Sequence, residues 1–145
     1  MSQYFAVIEA GGTKFNCAIV DGNRTIIAET RIATTIPNET IGASIDFFRA
    51  QIAKGFKFNK LGLACFGPLD LKPHSATWGT ITSTPKPDWT NTLIARDLET
   101  ALDCQVCIDT DVNAAALAEY QWGPARSTSV SVYVTIGTRV GLGLI

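Results

Sequence analysis

The chain has 145 residues, of which 46% are hydrophobic and 17% are charged, and its formal net charge at neutral pH is -1. A chain of this length can bury a hydrophobic core, and its apolar content excludes a mainly disordered protein. The balanced charge supplies no basic field for nucleic-acid binding, and every apolar run is shorter than the roughly 20 residues that cross a bilayer. Because no basic and apolar leader follows Met1, we expect a cytoplasmic protein without membrane contact.

The first part of the chain predicts three antiparallel strands. Tyr4–Glu9 and Lys14–Val20 are rich in β-forming residues, and Gly11 and Gly12 interrupt the sequence between them. Thr25–Thr34 continues with β-branched residues after a turn of the type Asp-Gly-Asn. We therefore expect the fold to open with an antiparallel sheet.

A helix and a parallel strand are predicted next. After Pro37, apolar residues recur at helical spacing, with Asn38 as the candidate N-cap. Leu61–Phe66 is a continuous apolar run, typical of a strand that is covered on both faces, so we expect the sheet to turn parallel there. The segment between Gly67 and Trp89 is too long for a simple connection, and loops of that length usually carry function.

The remainder predicts two helices, a strand between them and a second hairpin. Helical spacing covers Thr90–Leu102 and the alanine-rich Val112–Trp122, and Val106–Ile108 is a predicted strand. Val130–Ile136 and Val140–Ile145 then flank a Gly-Thr turn, as the first two strands flank Gly-Gly-Thr. The predicted order is thus β-β-β-α-β-α-β-α, followed by a hairpin that echoes the beginning of the chain.

This repetition predicts two similar lobes that face each other across a cleft. We expect residues 1–122 to form the amino-terminal lobe, residues 123–128 a linker, and residues 129–145 the first strands of a carboxy-terminal lobe. Because an ordinary domain does not end on a half-formed apolar strand, we interpret the sequence as truncated at its carboxyl end.

The two glycine turns are candidate phosphate sites. Glycines between strands leave backbone N–H groups free to approach an anion, and a threonine adds a hydroxyl. A tight hairpin that uses glycine only for its positive φ is the alternative for the first turn. A second turn at a corresponding place favours a nucleotide polyphosphate held between the lobes. The candidate residues are Gly11, Gly12, Thr13, Lys14, Gly137 and Thr138.

Carboxylates lie at the ends of two predicted strands. Glu9 could orient the water shell of Mg²⁺, which binds phosphates through few protein carboxylates, or it could be a solvated strand-end residue. Asp109, Thr110 and Asp111 lie where a buried strand gives way to a helix, the edge at which ligands of α/β sheets collect. Asp111 could be a helix N-cap, and it could also accept a proton from an attacking hydroxyl.

The long middle segment combines aromatic and hydroxyl side chains. Such a combination suits a sugar, whose ring has apolar faces and many hydrogen-bonding edges. Packing of the loop against the protein surface is the competing interpretation. The residues in question are Trp78, Thr80, Thr82, Thr84, Lys86 and Trp89.

Five segments of the chain read IEAGGTKF at 8–15, ACFGPLD at 64–70, WGTITSTPKPDW at 78–89, IDTDVNAAALAE at 108–119 and YVTIGT at 133–138. Together they resemble the amino-terminal half of a sugar kinase of the ROK family, of the bacterial fructokinase type. They span almost the whole chain in the family's order, which makes chance a poor explanation.

The resemblance implies an α/β fold of the actin-like ATPase, or ribonuclease H-like, class. It implies that the segment Gly11–Lys14 and the turn Gly137-Thr138 hold ATP phosphates and that Asp111 is the catalytic base. The segments EAGGTKF at 9–15 and GTITSTPK at 79–86, with Glu9 where many relatives have Asp, point to the fructokinase type. Thr110 stands where glucose-specific relatives tend to have Asn. The residues expected to contact the sugar are Gly67, Pro68, Thr82, Lys86 and Thr110.

The resemblance also implies what lies outside this sequence. The family's His/Cys zinc motif belongs to the second lobe, so we expect zinc only there, and we expect the fragment alone to be inactive. The second phosphate turn reads GTRVGLG at 137–143, where the family usually has GTGxGGG. We expect ATP, Mg²⁺ and a hexose as ligands and a homodimer as the assembly.

Our hypothesis is that the parent enzyme phosphorylates D-fructose to fructose 6-phosphate at the expense of ATP. One alternative is a sugar-sensing ROK regulator, which is disfavoured because such repressors carry a helix-turn-helix before the first glycine turn, whereas the first strand here begins close to Met1. The other alternative is a non-catalytic lobe that self-associates through the exposed strand edges of residues 130–145.

Overall fold

A computed structural model of the chain describes residues 3–136 and 140–145. Its main element is a five-stranded mixed sheet with the spatial order β3-β2-β1-β4-β5. The first three strands are antiparallel neighbours, and β4 and β5 run parallel to β1. The strands are β1 (Tyr4–Ala10), β2 (Lys14–Asp21), β3 (Ile26–Ala33), β4 (Lys60–Cys65) and β5 (Gln105–Thr110).

Three α-helices and a separate hairpin complete the fold. The helices are α1 (Pro37–Ala53), α2 (Ile94–Leu102) and α3 (Asp111–Trp122), and a short 3-10 turn covers Pro124–Ser127. The hairpin consists of β6 (Val132–Ile136) and β7 (Val140–Leu144), which pair only with each other in the described residues. The predicted element order and the change from antiparallel to parallel strands are confirmed.

The core lies on one face of the five-stranded sheet. Helix α1 packs on β2 and β3, and α2 packs on β5. Alternate strand residues point toward these helices and are fully or almost fully buried, because only one residue in two faces a given side of a strand. They include Ala6, Ile8, Phe15, Cys17, Ile19, Leu61, Leu63 and Val106.

The opposite face of the sheet is less covered. In β4, Leu61, Leu63 and Cys65 are buried, whereas Gly62 and Ala64 are only half-buried. The prediction that this strand is covered on both faces is therefore wrong for the described chain. The run from Leu61 to Phe66 suggested burial on both faces because glycine and alanine count as apolar in a sequence. These two residues have little side-chain area to bury, so their presence does not require a covered face.

Helix α1 begins two residues earlier than the predicted N-cap would place it. Its N-cap is Ile36, Pro37 is the first helical residue, and the prediction of Asn38 as N-cap is wrong. Proline at the first helical position needs no amide partner and has a helical φ already, so it starts the helix without a capping side chain. Just before the helix, the N–H of Thr35 donates to the hydroxyl oxygen of Thr40 at 2.9 Å.

Helix α2 is shorter than predicted, because it starts at Ile94 instead of Thr90. Residues 90–93 belong to the end of the middle loop, where Thr92 bridges to Ile81. None of the described helices is both long and apolar enough to cross a membrane.

Candidate active site

The turn between β1 and β2 is open on one side. The N–H of Gly11 donates to the carbonyl of Lys14 at 2.9 Å, which closes the hairpin. In the described chain the glycines with positive φ are Gly55 and Gly79, so the alternative that Gly11 and Gly12 serve a positive φ is wrong. A Cβ added to Gly12 would meet no atom within 4 Å, so this glycine borders open space.

The junction between β5 and α3 presents a carboxylate. Thr110 is the N-cap of α3, and its hydroxyl accepts a hydrogen bond from the N–H of Asn113 at 3.2 Å. The interpretation of Asp111 as the N-cap is therefore wrong, because Asp111 is the first residue of the helix. Among the described residues, the hydrogen bond to its carboxylate is a local one, from the N–H of Val112 at 2.9 Å, so the carboxylate remains available for other partners.

The environment of Asp111 favours its protonated form more than water does. Partial burial raises the pKa of Asp111 above the ordinary aspartate value, and the negative charge of Glu9 raises it further. The hydrogen bond from the N–H of Val112 acts in the opposite direction but is outweighed. A carboxylate with a raised pKa at the carboxyl-terminal edge of a sheet is suited to proton transfer.

The glycine turn and Asp111 line one cavity of about 510 Å³. Six of the predicted site residues line it, namely Gly12, Thr13, Gly67, Lys86, Thr110 and Asp111. The lining also contains Val140 and Gly141 from the GTRVGLG segment, and five residues that sequence reasoning did not propose for the site, namely Phe66, Pro85, Pro87, Val112 and Thr135. Most of these are apolar or proline residues, and such residues do not by themselves indicate a functional site in a sequence. The one available signal was the pair of prolines, Pro85 and Pro87, on either side of Lys86.

Four further predicted residues lie beside the cavity without lining it. Gly11 forms the start of the glycine turn, and Lys14 is the exposed first residue of β2. The carbonyl of Pro68 accepts both the N–H and the hydroxyl of Thr82, at 2.8 Å and 3.2 Å. The bond between Gly67 and Pro68 is cis. Gly137 and Thr138, the second predicted phosphate turn, lie outside the described residues.

Glu9 faces the less covered side of the sheet. It lines a larger cavity of about 1190 Å³, together with Asp109 and Asn16. The side-chain amide of Asn16 donates to the Glu9 carboxylate at 2.6 Å, and the guanidinium of Arg31 donates to the Asn16 oxygen at 3.3 Å. The negative charge of Glu9 adds to the larger effect of burial in raising the pKa of Asp111.

The middle loop is anchored to the connection between β3 and α1. The ammonium of Lys86 donates to the carbonyl of Thr34 at 3.0 Å, and the indole N–H of Trp89 donates to the carbonyl of Thr35 at 2.7 Å. Trp89 is fully buried and packs against two phenylalanines of the core, Phe15 and Phe66. For Trp89 the interpretation as part of a sugar pocket is therefore wrong, because its ring has no accessible face.

The second hairpin packs closely on the start of α3. A Cβ added to Gly143 would lie 2.5 Å from the carbonyl oxygen of Val112, and one added to Gly141 would lie 2.6 Å from the Val112 side chain. Both glycines are therefore required by the close approach of β7 to α3. This contact brings Thr135 and Gly141 into the same cavity as Asp111.

The apolar residues of the hairpin alternate with these inward-facing positions. They are the exposed residues of the two strands, and each is at least half exposed. They are Val132, Val134, Ile136, Val140, Leu142 and Leu144.

The carboxylates present would suit a magnesium ion that is carried by phosphates. The described residues contain no group of three or more His, Cys, Asp or Glu side chains that could hold a metal by themselves. Mg²⁺ bound to a nucleotide needs only one or two protein carboxylates, since phosphates and waters supply its other ligands. Glu9 in β1 and Asp111 at the start of α3 supply two carboxylates of this kind.

Comparison with known proteins identifies a single family. The family model described as "ROK family" matches residues 5–145. A fructokinase of Zymomonas mobilis is 47% identical over 142 residues, which are 97% of this chain and 47% of that protein. The chain spans about half the length of the curated relatives it matches.

Two solved structures share the fold over nearly the whole chain. A ROK hexokinase from Thermus thermophilus has a TM-score of 0.79 and 29% identity, covering 99% of this chain and 47% of that one. A ROK-family glucokinase from Streptomyces griseus, in complex with glucose and AMPPNP, has a TM-score of 0.75 and 25% identity, covering 100% of this chain and 44% of that one. The actin-like α/β class expected from the resemblance is confirmed.

Proposed function

Since this chain belongs to the ROK family, we propose that the full-length protein is a kinase that transfers the γ-phosphoryl group of ATP to a hexose. The observation that carries the proposal is one shared cavity, which is lined by Gly12 and Thr13 on one side and by Asp111 on another. A phosphoryl transferase needs this combination of an anion-binding backbone and a base directed at the acceptor. The AMPPNP complex of the Streptomyces griseus glucokinase supports ATP as the donor.

D-Fructose is the hexose that we propose. The chain is 47% identical to the Zymomonas mobilis fructokinase but only 25% identical to the Streptomyces griseus glucokinase. Thr110, the N-cap of α3, lines the cavity next to Asp111 and is where glucose-specific relatives tend to have Asn. The shorter threonine side chain, whose hydroxyl already caps the helix, would leave a differently shaped acceptor site.

The proposed reaction uses Asp111 as the base. The 6-hydroxyl of fructose would give its proton to the Asp111 carboxylate while its oxygen forms a bond to the γ-phosphorus. The bond from that phosphorus to the β-phosphate oxygen breaks, and ADP leaves. Because burial raises the pKa of Asp111, its carboxylate binds a proton more strongly than an exposed aspartate would.

The glycine turns are proposed to hold the phosphates. In the part of the chain that the structure describes, the N–H groups of Gly12 and Thr13 have no protein acceptor, so they are available to an anion. The turn Gly137-Thr138 is proposed to act in the same way from the second hairpin, whose neighbours Thr135, Val140 and Gly141 line the cavity. Lys14, at the start of β2, would add positive charge.

Glu9 is the residue proposed to hold magnesium, through the ion's water shell. When bound, Mg²⁺ would bridge and neutralise phosphate oxygens. Asn16 keeps the Glu9 carboxylate in place by donating to it, so the orientation of that carboxylate does not depend on the ion. The negative charge of Glu9 also strengthens Asp111 as a base.

The sugar is proposed to bind between the middle loop and α3. Gly67, Lys86 and Thr110 line the cavity on this side. Pro68 and Thr82 would support this side of the cavity through their mutual hydrogen bonds.

We also propose that the amino-terminal lobe ends at residue 122 and that the carboxy-terminal lobe begins at residue 129. The proposed assembly is a homodimer, and sedimentation of the full-length protein would test it.

The direct test is a coupled assay of hexose-dependent ADP formation by the full-length protein, including any residues encoded beyond Ile145. We expect turnover with D-fructose and a lower kcat/KM with glucose and mannose. Equal kcat/KM values for all three would contradict fructose specificity. Absence of turnover with every hexose, with the protein folded and magnesium and ATP present, would contradict the kinase proposal.

A further inference from the structure

Thr34 holds the glycine turn at two points. Its N–H donates to the carbonyl of Thr13 at 2.9 Å, and its hydroxyl donates to the carbonyl of Gly11 at 2.8 Å. The residue is only 7% exposed, so water competes little for these bonds. One buried residue thus holds the two carbonyls that flank Gly12, the Thr13 carbonyl through its backbone N–H and the Gly11 carbonyl through its hydroxyl.

Fixing the carbonyl of Gly11 also fixes the N–H of Gly12. The two groups belong to the same planar trans peptide and point in opposite directions. With the Gly11 carbonyl held on Thr34, the Gly12 N–H points away from Thr34 and has no acceptor among the described residues. Gly12 itself lines the cavity, so its unbonded N–H belongs to a residue that a ligand in the cavity would contact.

Thr34 is held in turn by the middle loop. The ammonium of Lys86 donates to the carbonyl of Thr34 at 3.0 Å, and the buried indole of Trp89 donates to the next carbonyl, that of Thr35, at 2.7 Å. A continuous set of hydrogen bonds therefore runs from the loop proposed to bind sugar, through Thr34, to the turn proposed to bind phosphate.

We propose that Thr34 is a positioning residue that orients the Gly12 N–H toward the ATP phosphates, and that Lys86 acts on the same turn through Thr34. The inference rests on the proposed function of the Gly11–Thr13 turn. It predicts that removing the Thr34 hydroxyl weakens the binding of ATP more than the binding of the sugar. It also predicts that Lys86 affects ATP binding although it lies in the middle loop.

The first experiment compares Thr34→Val and Thr34→Ser in the full-length protein. Valine keeps the shape and the backbone N–H but loses the donor to Gly11, so we expect KM for ATP to rise about tenfold, as for a loss of about 1.4 kcal/mol. KM for fructose should change less than twofold, and Thr34→Ser should restore KM for ATP. Ser44→Ala is the control, because it removes another buried hydroxyl, bonded to the Thr40 carbonyl at 2.8 Å, from helix α1.

A double-mutant cycle tests the path through Lys86. Lys86→Met alone should raise KM for ATP, and combining it with Thr34→Val should raise KM by less than the product of the two single effects. Independent effects that multiply would overturn the coupling. An unchanged KM for ATP in Thr34→Val, in an enzyme whose wild type turns over fructose, would overturn the role of Thr34.

Hydrogen exchange separates this inference from the kinase proposal. Thr34→Val should speed amide exchange in the peptide that covers Gly11–Lys14, whose Gly11 amide is bonded to Lys14, and Ser44→Ala should leave it unchanged. If the wild type shows no kinase activity, the proposed function fails and exchange alone decides whether Thr34 holds the turn. Unchanged exchange in Thr34→Val would overturn the inference whatever the activity.

Discussion

Gly12 and Asp111 line the same cavity although they belong to different connections of the sheet, the β1–β2 turn and the β5–α3 junction. The reason is that β1, β4 and β5 run parallel, so their carboxyl ends meet at one edge. The β4 end contributes Phe66 and Gly67 to the same cavity. Four predictions follow from the positions of residues at and around this edge.

Gly12→Ala should leave the fold intact and weaken the binding of ATP. An added Cβ meets no protein atom within 4 Å, and φ is not positive, so we expect the free energy of unfolding to change by less than about 0.5 kcal/mol. The same methyl group would occupy space that a phosphate needs, so KM for ATP should rise at least about tenfold. Urea unfolding and steady-state kinetics of the full-length protein measure the two effects. A large loss of stability with unchanged KM would show that the turn needs glycine for its conformation.

Asp111→Asn should abolish proton acceptance while preserving shape. Loss of a general base lowers kcat by about 10²- to 10⁴-fold, and binding of ATP should persist because the amide is isosteric. Isothermal titration with a non-hydrolysable ATP analogue, beside the kinetic assay, distinguishes the two effects. Asp46→Asn, at an exposed position of α1, is the matched control and should retain wild-type turnover. Turnover in Asp111→Asn within threefold of wild type would remove Asp111 from the mechanism.

When the pH is lowered, the activity should be lost at a higher pH than the ordinary aspartate pKa would give. Burial and the charge of Glu9 raise the pKa of Asp111, and the base works only when deprotonated, so kcat/KM should decrease as pH falls through a value above about 3.9. Glu9→Gln removes the negative charge and should move this limb to lower pH, whatever its effect on the maximal rate. A pH profile of both proteins measures the shift, and Asp46→Asn serves again as the charge control. If the acid limb of the Glu9→Gln profile lies at the same pH as that of the wild type, the effect of the Glu9 charge on the pKa of Asp111 is contradicted.

Gly143→Ala should displace the second hairpin from α3. Its Cβ would lie 2.5 Å from the Val112 carbonyl oxygen, a backbone atom that cannot rotate away. Overpacking of this kind costs about 1–3 kcal/mol of unfolding free energy, and the displacement should also lower kcat/KM. Gly42→Ala is the matched control: it lies within α1, its Cβ meets nothing within 4 Å, and it should stabilise the protein by about 0.5–1 kcal/mol. Equal stability of both variants would contradict the close packing of β7 on α3.

Local patterns predicted much of the fold because they depend on neighbours in the chain. The β-forming residues of Tyr4–Glu9 and the helical spacing after Pro37 are local features of the sequence, and a strand and a helix form at these two places. The start of α1 was missed at Asn38 because a proline at the first helical position removes the need for a capping side chain. The motifs around Gly12 and Asp111 were likewise visible in the sequence, as turn chemistry at the ends of predicted strands.

The sequence by itself determined the order of the elements, the glycine turn and the position of a carboxylate after a strand, since each is a property of a few adjacent residues. Only the tertiary structure decided that Trp89 is a core residue, that Lys86 binds the carbonyl of Thr34, and that Gly143 lies against Val112. These contacts join segments that are far apart in the chain, and they depend on sheet order, strand register and close packing. A local pattern contains none of that information, because the same residues could face solvent or a core with equal local preference.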